Sequence, residues 1–176
     1  MHVHITYTGG TIGMVDSPHG LVPGADLEGW LDSLLAGTPL ARSVTVTSLA
    51  PLIDSSNATP LSWQAIVDDL HAHAAADPQT AFVILHGTDT MAYTSAALSY
   101  ALTDLSVPVV ITGSQLPLGE LGSDAAANVT GALQAATSGR HSGVALFFGH
   151  RLLAGNRVTK SSSWAFTGFE SPNAAP

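Results

Sequence analysis

The chain contains no cysteine, which excludes disulfides, thiolate metal sites and a cysteine nucleophile. Cationic residues are scarce: five lysines and arginines stand against thirteen aspartates and glutamates, for a net charge of −8. The five are spread singly at Arg42, Arg140, Arg151, Arg157 and Lys160. Nucleic-acid binding needs clustered positive charge to displace counterions, so no nucleic-acid partner is expected. A small anionic or zwitterionic ligand stays open, because one placed cation can serve it. No apolar run is long enough to span a bilayer. Met1-His2-Val3-His4-Ile5 leads straight into a strand pattern, without the basic and apolar regions of a leader. The expectation is a soluble, cytoplasmic protein without membrane partners. At 176 residues the chain suits one domain around one substantial core.

Five short runs rich in β-branched or aromatic residues end in glycine or small polar residues. They are Val3–Tyr7, Val44–Thr47, Phe82–Leu85, Val109–Thr112 and Val144–Phe148. Near-continuous apolar strands suit a sheet buried on both faces, hence a parallel one. Helical patterns separate them. Asp26 to Leu35 carries a stripe at Leu27, Trp30, Leu31 and Leu34. Thr59-Pro60 reads as an N-cap with proline at the first helical position, opening a helix to about Ala76. Met91 to Leu102 and Asp124 to Ala136 complete the set, with Asp124 expected to cap its helix. Strand alternating with helix predicts an α/β domain, doubly wound, with a mostly parallel sheet flanked by helices and right-handed crossovers.

Ligands of such sheets bind beyond the carboxyl ends of the strands. Those ends carry Thr8-Gly9-Gly10-Thr11, His86-Gly87-Thr88-Asp89-Thr90 and Gly113-Ser114-Gln115, where glycine lets the main chain turn tightly and approach a ligand. Lys160 is the only lysine. Beside a hydroxyl and a carboxylate, a lysine can lower the hydroxyl's basicity or itself act as a base. Composition alone does not distinguish such a placed group from a leftover surface lysine.

These segments resemble a known family. Thr8-Gly9-Gly10-Thr11-Ile12-Gly13 and His86-Gly87-Thr88-Asp89-Thr90-Met91 look like the two signature segments of the bacterial-type L-asparaginases, cytosolic-type branch. Asp54-Ser55-Ser56-Asn57, Gly113 to Leu118 and Arg151 to Lys160 look like further family segments, in the family's order. One glycine-rich element is a weak signal and five in order are a strong one. The resemblance implies an amidohydrolase that converts L-asparagine to L-aspartate and ammonia, with no cofactor and possible weak glutaminase activity. Thr11 matches the family's nucleophile, and Thr88, Asp89 and Lys160 match a hydrogen-bonded relay. Ser55 and Ser56 fall where the substrate's α-carboxylate binds, Asp89 where its α-ammonium binds, and the main chain near Gly10, Thr11 and Thr88 offers oxyanion donors.

The chain departs from the family pattern in two respects. The family's loop tyrosine is replaced by Leu21, with His19 a nearby candidate partner for Thr11. The chain also stops about where family members pass to a smaller second domain. The expectations are one asparaginase N-terminal-type domain over residues 1–176, weaker substrate binding than in two-domain relatives, and a homo-oligomer (dimer or tetramer). The rival reading is a non-catalytic asparagine-binding or regulatory module. A nucleotide-binding domain is disfavoured, because Gly9, Gly10 and Gly13 do not make G-x-G-x-x-G. No metal is expected: His71 and His73 point to different faces of their helix, and His2 and His4 have no carboxylate or third histidine near in sequence. His86 is read as structural. Trp30, Trp63 and Trp164 are read as packing on helix faces or near the sheet edge.

Overall fold

A computed structural model describes all residues from Met1 to Pro176. Strand β1 (Val3–Tyr7) is followed by the hairpin β2 (Met14–Ser17) and β3 (Gly20–Pro23), then helix α1 (Leu27–Leu35) and β4 (Val44–Ser48). Next come α2 (Pro60–Ala76), β5 (Ala81–Leu85), α3 (Met91–Ala101), β6 (Pro108–Thr112) and α4 (Ala125–Thr137). The chain ends with β7 (Gly143–Phe148), β8 (Arg151–Ala154), β9 (Thr159–Lys160) and β10 (Phe169–Glu170). The central sheet has the order β4-β1-β5-β6-β7-β8. Its first five strands run parallel, and β8 returns antiparallel along the edge. The doubly wound α/β expectation is met, with an antiparallel edge added.

Side-chain alternation along a strand sorts the core into two layers. Val3, Ile5, Tyr7, Val83, Leu85 and Val110 pack with Leu27, Leu31 and Leu35 of α1 and Val129 and Leu133 of α4. On the other face Phe82, Ile84, Val109 and Ile111 pack with Ile66 and Leu70 of α2 and Met91 and Leu98 of α3. Each fully buried Leu or Ile here contributes roughly 1.5–3 kcal/mol of apolar transfer. The Asp26 carboxylate starts α1 by accepting from the Gly29 N–H at 3.0 Å. Pro60 opens α2 as expected, and the Ser62 hydroxyl accepts from the Thr59 N–H at 3.1 Å. No helix is long and apolar enough to cross a membrane.

Two expectations need correction. Trp164 does not pack on a helix or sheet: it lies between β9 and β10 and is 85 % exposed. The histidines also find partners that sequence distance hid. On β1, His4 and Thr6 face α2, where β5 presents Phe82 and Ile84. Fully buried His4 places Nε2 at 3.2 Å from Asp69 Oδ2, the Thr6 hydroxyl donates to the same oxygen, and the His73 ring stacks on His4 with centroids 3.5 Å apart. The sheet carries His4 to α2, which supplies both the carboxylate and the second ring.

Burial alone opposes ionisation of Asp69. The hydrogen bonds from His4 and Thr6, with the nearby His4 and His73, outweigh it and hold the carboxyl below its ordinary range. A depressed folded-state value adds stability above the unfolded carboxylate range, and that stability is lost as pH falls through the folded value. Asp69→Asn is therefore expected to cost about 1–3 kcal/mol near neutrality, with the gap from wild type closing in acid. Urea midpoints measured across pH check this, and a gap that is constant with pH contradicts it.

Candidate active site

The loops that follow β1 and β5 lock together through glycine. Gly10 has φ 95°, and a Cβ built there would meet Gly87 Cα and N at 2.5 Å. A Cβ on Gly87 would run into the Ser55 side chain. The Thr8 N–H and hydroxyl both donate to the Leu85 carbonyl, at 2.9 and 3.0 Å, and the Ile53 N–H donates to Thr8 O at 2.6 Å. The Thr90 hydroxyl donates to Ser55 O at 2.7 Å. Three segments distant in sequence thus meet at the carboxyl ends of β1 and β5.

The polar groups converge there. Lys160 on β9 donates from Nζ to Thr88 Oγ1 at 2.9 Å and to Asp89 Oδ1 at 3.1 Å. The Thr88 hydroxyl is buried and faces Gln115 Oε1 at 3.4 Å. Gln115 in turn donates from Nε2 to the Ala165 carbonyl at 3.0 Å. The Lys160 side chain is 15 % exposed and that of Asp89 63 % exposed, so the lysine is largely withdrawn while the carboxylate still meets solvent.

Thr11 begins a short 3-10 turn (Thr11–Gly13) directly after Gly10, and its hydroxyl makes no hydrogen bond within the chain. Leu21 lies on β3 opposite Asp16 and is 45 % exposed. His19 sits at the tip of the same hairpin, its N–H donating to the Ser17 hydroxyl, and gives Thr11 no ring contact. Ser55 is buried. Ser56 is exposed, and its N–H and hydroxyl are both given to Asp54 Oδ1. The structure therefore unites Thr88, Asp89 and Lys160, brings Gly10 and Ser55 against Gly87, and leaves Ser56 turned toward Asp54.

Three residues around the site escape motif reasoning. Asp124 occupies the N-cap position of α4 but does not cap it. Its carboxylate instead accepts from the Gln115 and Leu116 N–H groups at 3.0 and 3.2 Å, and the Ser123 hydroxyl accepts from Ala125 N–H. The carboxylate serves the loop after β6 because that loop offers two unpaired donors. Asn128 completes the clamp, donating to Gly113 O and Asp124 Oδ2 and accepting from Gly149 N–H. Trp63 donates from Nε1 to Thr94 Oγ1 at 3.0 Å, and that hydroxyl donates to His86 Nε2 at 3.1 Å. His86 Nδ1 donates to Gly87 O at 2.7 Å. Burial pushes the His86 imidazole below its ordinary value, against the bond to Gly87. A neutral, fully bonded ring is a structural group, as expected from sequence.

The arrangement is that of a doubly wound α/β protein with a threonine–lysine–aspartate grouping on glycine-locked loops beyond its strand ends. The family model described as Asparaginase, N-terminal, matches residues 2–176, and the chain belongs to the asparaginase family. L-asparaginase 1 of Escherichia coli K12 is 46 % identical over 179 residues, covering 99 % of this chain and 52 % of the relative. The crystal structure of L-asparaginase I from Vibrio cholerae superposes with a TM-score of 0.86 at 44 % identity, covering 99 % of this chain and 52 % of that one. The probable cytoplasmic L-asparaginase of Campylobacter jejuni gives a TM-score of 0.76 at 25 % identity, covering 97 % and 51 %. The chain spans about half the length of the relatives it matches.

Proposed function

We propose that this chain carries the catalytic grouping of an L-asparaginase and hydrolyses L-asparagine to L-aspartate and ammonia. One observation carries the reading: the only lysine of the sequence reaches both Thr88 and Asp89 from β9. A neutral amide is a poor electrophile, so its hydrolysis needs an activated hydroxyl. A lysine nitrogen 2.9 Å from Thr88 Oγ1 either makes the hydroxyl more acidic or takes up its proton. Thr11, free of other hydrogen bonds, supplies the second hydroxyl. One hydroxyl attacks the amide carbon and the carbon–nitrogen bond breaks with ammonia leaving, or water adds directly under the same activation. Either route consumes one water and yields aspartate. Main-chain N–H groups near Gly10, Thr11 and Thr88 would receive the developing oxyanion. Asp89, with Oδ2 uncommitted, would meet the α-ammonium, and Ser55 and Ser56 the α-carboxylate. Ser56 must release Asp54 to do so.

The resemblance to a protein named as probably cytoplasmic supports a cytoplasmic, small-molecule role. Exposed Tyr93 and Tyr100 on α3 and exposed Trp164 support a homo-oligomer. The test is ammonia release by the 176-residue protein with asparagine and glutamine in parallel, with light scattering giving the mass of the assayed species. Release from asparagine is expected, because Thr88, Asp89 and Lys160 are brought together within residues 1–176. Stoichiometric asparagine binding without ammonia would overturn catalysis in favour of a binding module, and a monomer in light scattering would remove the oligomer.

A further inference from the structure

At the amino end of the central sheet, opposite the threonine grouping, His4, Asp69 and His73 stand with one ligand atom each within 4.8 Å of one another. We propose that these three side chains form a site for a borderline divalent cation such as Zn2+, tying β1 to α2.

The first argument is the spacing. Tetrahedral zinc holds imidazole and carboxylate ligands at about 2.0–2.2 Å, which puts neighbouring ligand atoms about 3.3–3.6 Å apart. His4 Nε2 lies 3.2 Å from Asp69 Oδ2, and His73 Nδ1 lies 3.5 Å from Asp69 Oδ1. The His4–Asp69 edge is already close to that separation, while His73 stands beside the other carboxylate oxygen, within reach of the same ion once it reorients. Two imidazoles and one carboxylate are a donor set suited to zinc and its transition-metal neighbours, and leave a position for water.

The second argument is the proton inventory. Thr45 Oγ1 contacts His2 Nε2 at 3.0 Å and His4 Nδ1 at 3.2 Å. A hydroxyl has one proton. When Thr45 gives it to His2, His4 must donate its own Nδ1–H to Thr45. In that tautomer His4 Nε2 offers its lone pair to an ion held with the Asp69 carboxylate 3.2 Å away, in place of the proton it gives to Asp69 in the ion-free chain. A bound metal ion fills that place and fixes the tautomer through Thr45, as the outer partners of metal-bound histidines do. The Thr6 hydroxyl, donating to Asp69 Oδ2, orients the carboxylate in the same way.

The third argument is access. His4 is fully buried, but the His73 side chain is 37 % exposed and forms the outer wall. At present His73 stacks on His4 with 19° between the planes and donates from Nδ1 to Asp69 O at 2.8 Å. Stacked rings cannot aim their in-plane lone pairs at one ion. Binding therefore requires His73 to swing out of the stack, which its half-exposed position permits, and this movement opens the entry path. The net charge of −8 favours cation uptake.

The test is zinc binding by the untagged 176-residue protein, followed by calorimetry and by the visible absorption of a cobalt(II) substitute. The expected result is one ion per chain, a tetrahedral cobalt spectrum and a raised unfolding temperature with Zn2+. His73→Ala, a change at the outer wall that leaves the core filled, should weaken binding at least about tenfold, and Asp69→Asn should do the same. His71→Ala should bind as wild type does; it removes the separate His71–Asp104 pair, 3.2 Å apart. Absence of binding would overturn the proposal. So would binding that survives His73→Ala in a protein whose circular dichroism is unchanged, or binding lost in His71→Ala.

Discussion

Thr88→Ala is expected to lower ammonia release from asparagine by on the order of 10^4-fold or more, the scale seen when a member of a cooperating catalytic set is removed. Thr88 Oγ1 is the junction of the site: it accepts from Lys160 and faces Gln115. Without it Lys160 keeps only Asp89. Lys160→Met preserves length and removes the nitrogen, with an expected loss of about 10²–10⁴-fold if the lysine handles the hydroxyl's proton. The decisive comparison is the double variant. Groups that act as a unit lose their effect together, so Thr88→Ala with Lys160→Met should be no slower than Thr88→Ala alone. Steady-state and single-turnover ammonia release, with circular dichroism to verify folding, measure all three. Losses that multiply in the double variant would show that lysine and threonine act separately, and the relay reading would fail.

Gly10→Ala should cost about a hundredfold in turnover and also lower stability. Two effects add at this position. The residue has φ 95° and ψ 175°, a glycine region that costs another residue roughly 1–3 kcal/mol. The new Cβ would also lie 2.5 Å from Gly87 Cα and N, backbone atoms that cannot turn aside as a flexible side chain would. The loops after β1 and β5 must then part, carrying Thr11 from Thr88. Displacement of reacting groups by about 1 Å is enough for a hundredfold loss. Gly37→Ala separates the two effects: Gly37 also has positive φ, 76°, but nothing lies within 4 Å of its built Cβ. It should destabilise by strain alone and leave turnover intact. Kinetics and urea midpoints on both variants decide the matter; equal turnover in the two would mean that the Gly10–Gly87 contact does not set the site.

The central strands were legible in the sequence because burial on both faces leaves runs such as Phe82–Leu85 almost wholly apolar. The helices were legible from their caps and stripes. The β2–β3 hairpin was not, since β3 is exposed throughout and carries no hydrophobic face to mark it. The edge strand β8 owes its form to pairing with β7 rather than to its own short pattern. At the site, the scarcity of lysine singled out Lys160, yet its partners 71 and 72 residues away came only through family resemblance. Asp124 was misread because an N-cap position predicts where a carboxylate starts, not which loop it turns to. The His4–Asp69 contact, 65 residues apart, depends on which helix covers β1, and no local pattern states that.

Lys160 sits outside the central sheet, on a ribbon of two strands held by two residue pairs, Phe169 with Lys160 and Glu170 with Thr159. The ribbon is anchored where Phe169 enters against Phe148, ring centroids 4.9 Å apart, and through Lys160 to Thr88 and Asp89. Such a short segment opens at a lower free energy than the strands beneath it. In the proposed mechanism, the residue that activates Thr88 is thus borne by a two-pair ribbon outside the central sheet. Loss of ammonia release at urea concentrations that leave the circular dichroism of the sheet unchanged is therefore the expected sign of the ribbon opening first.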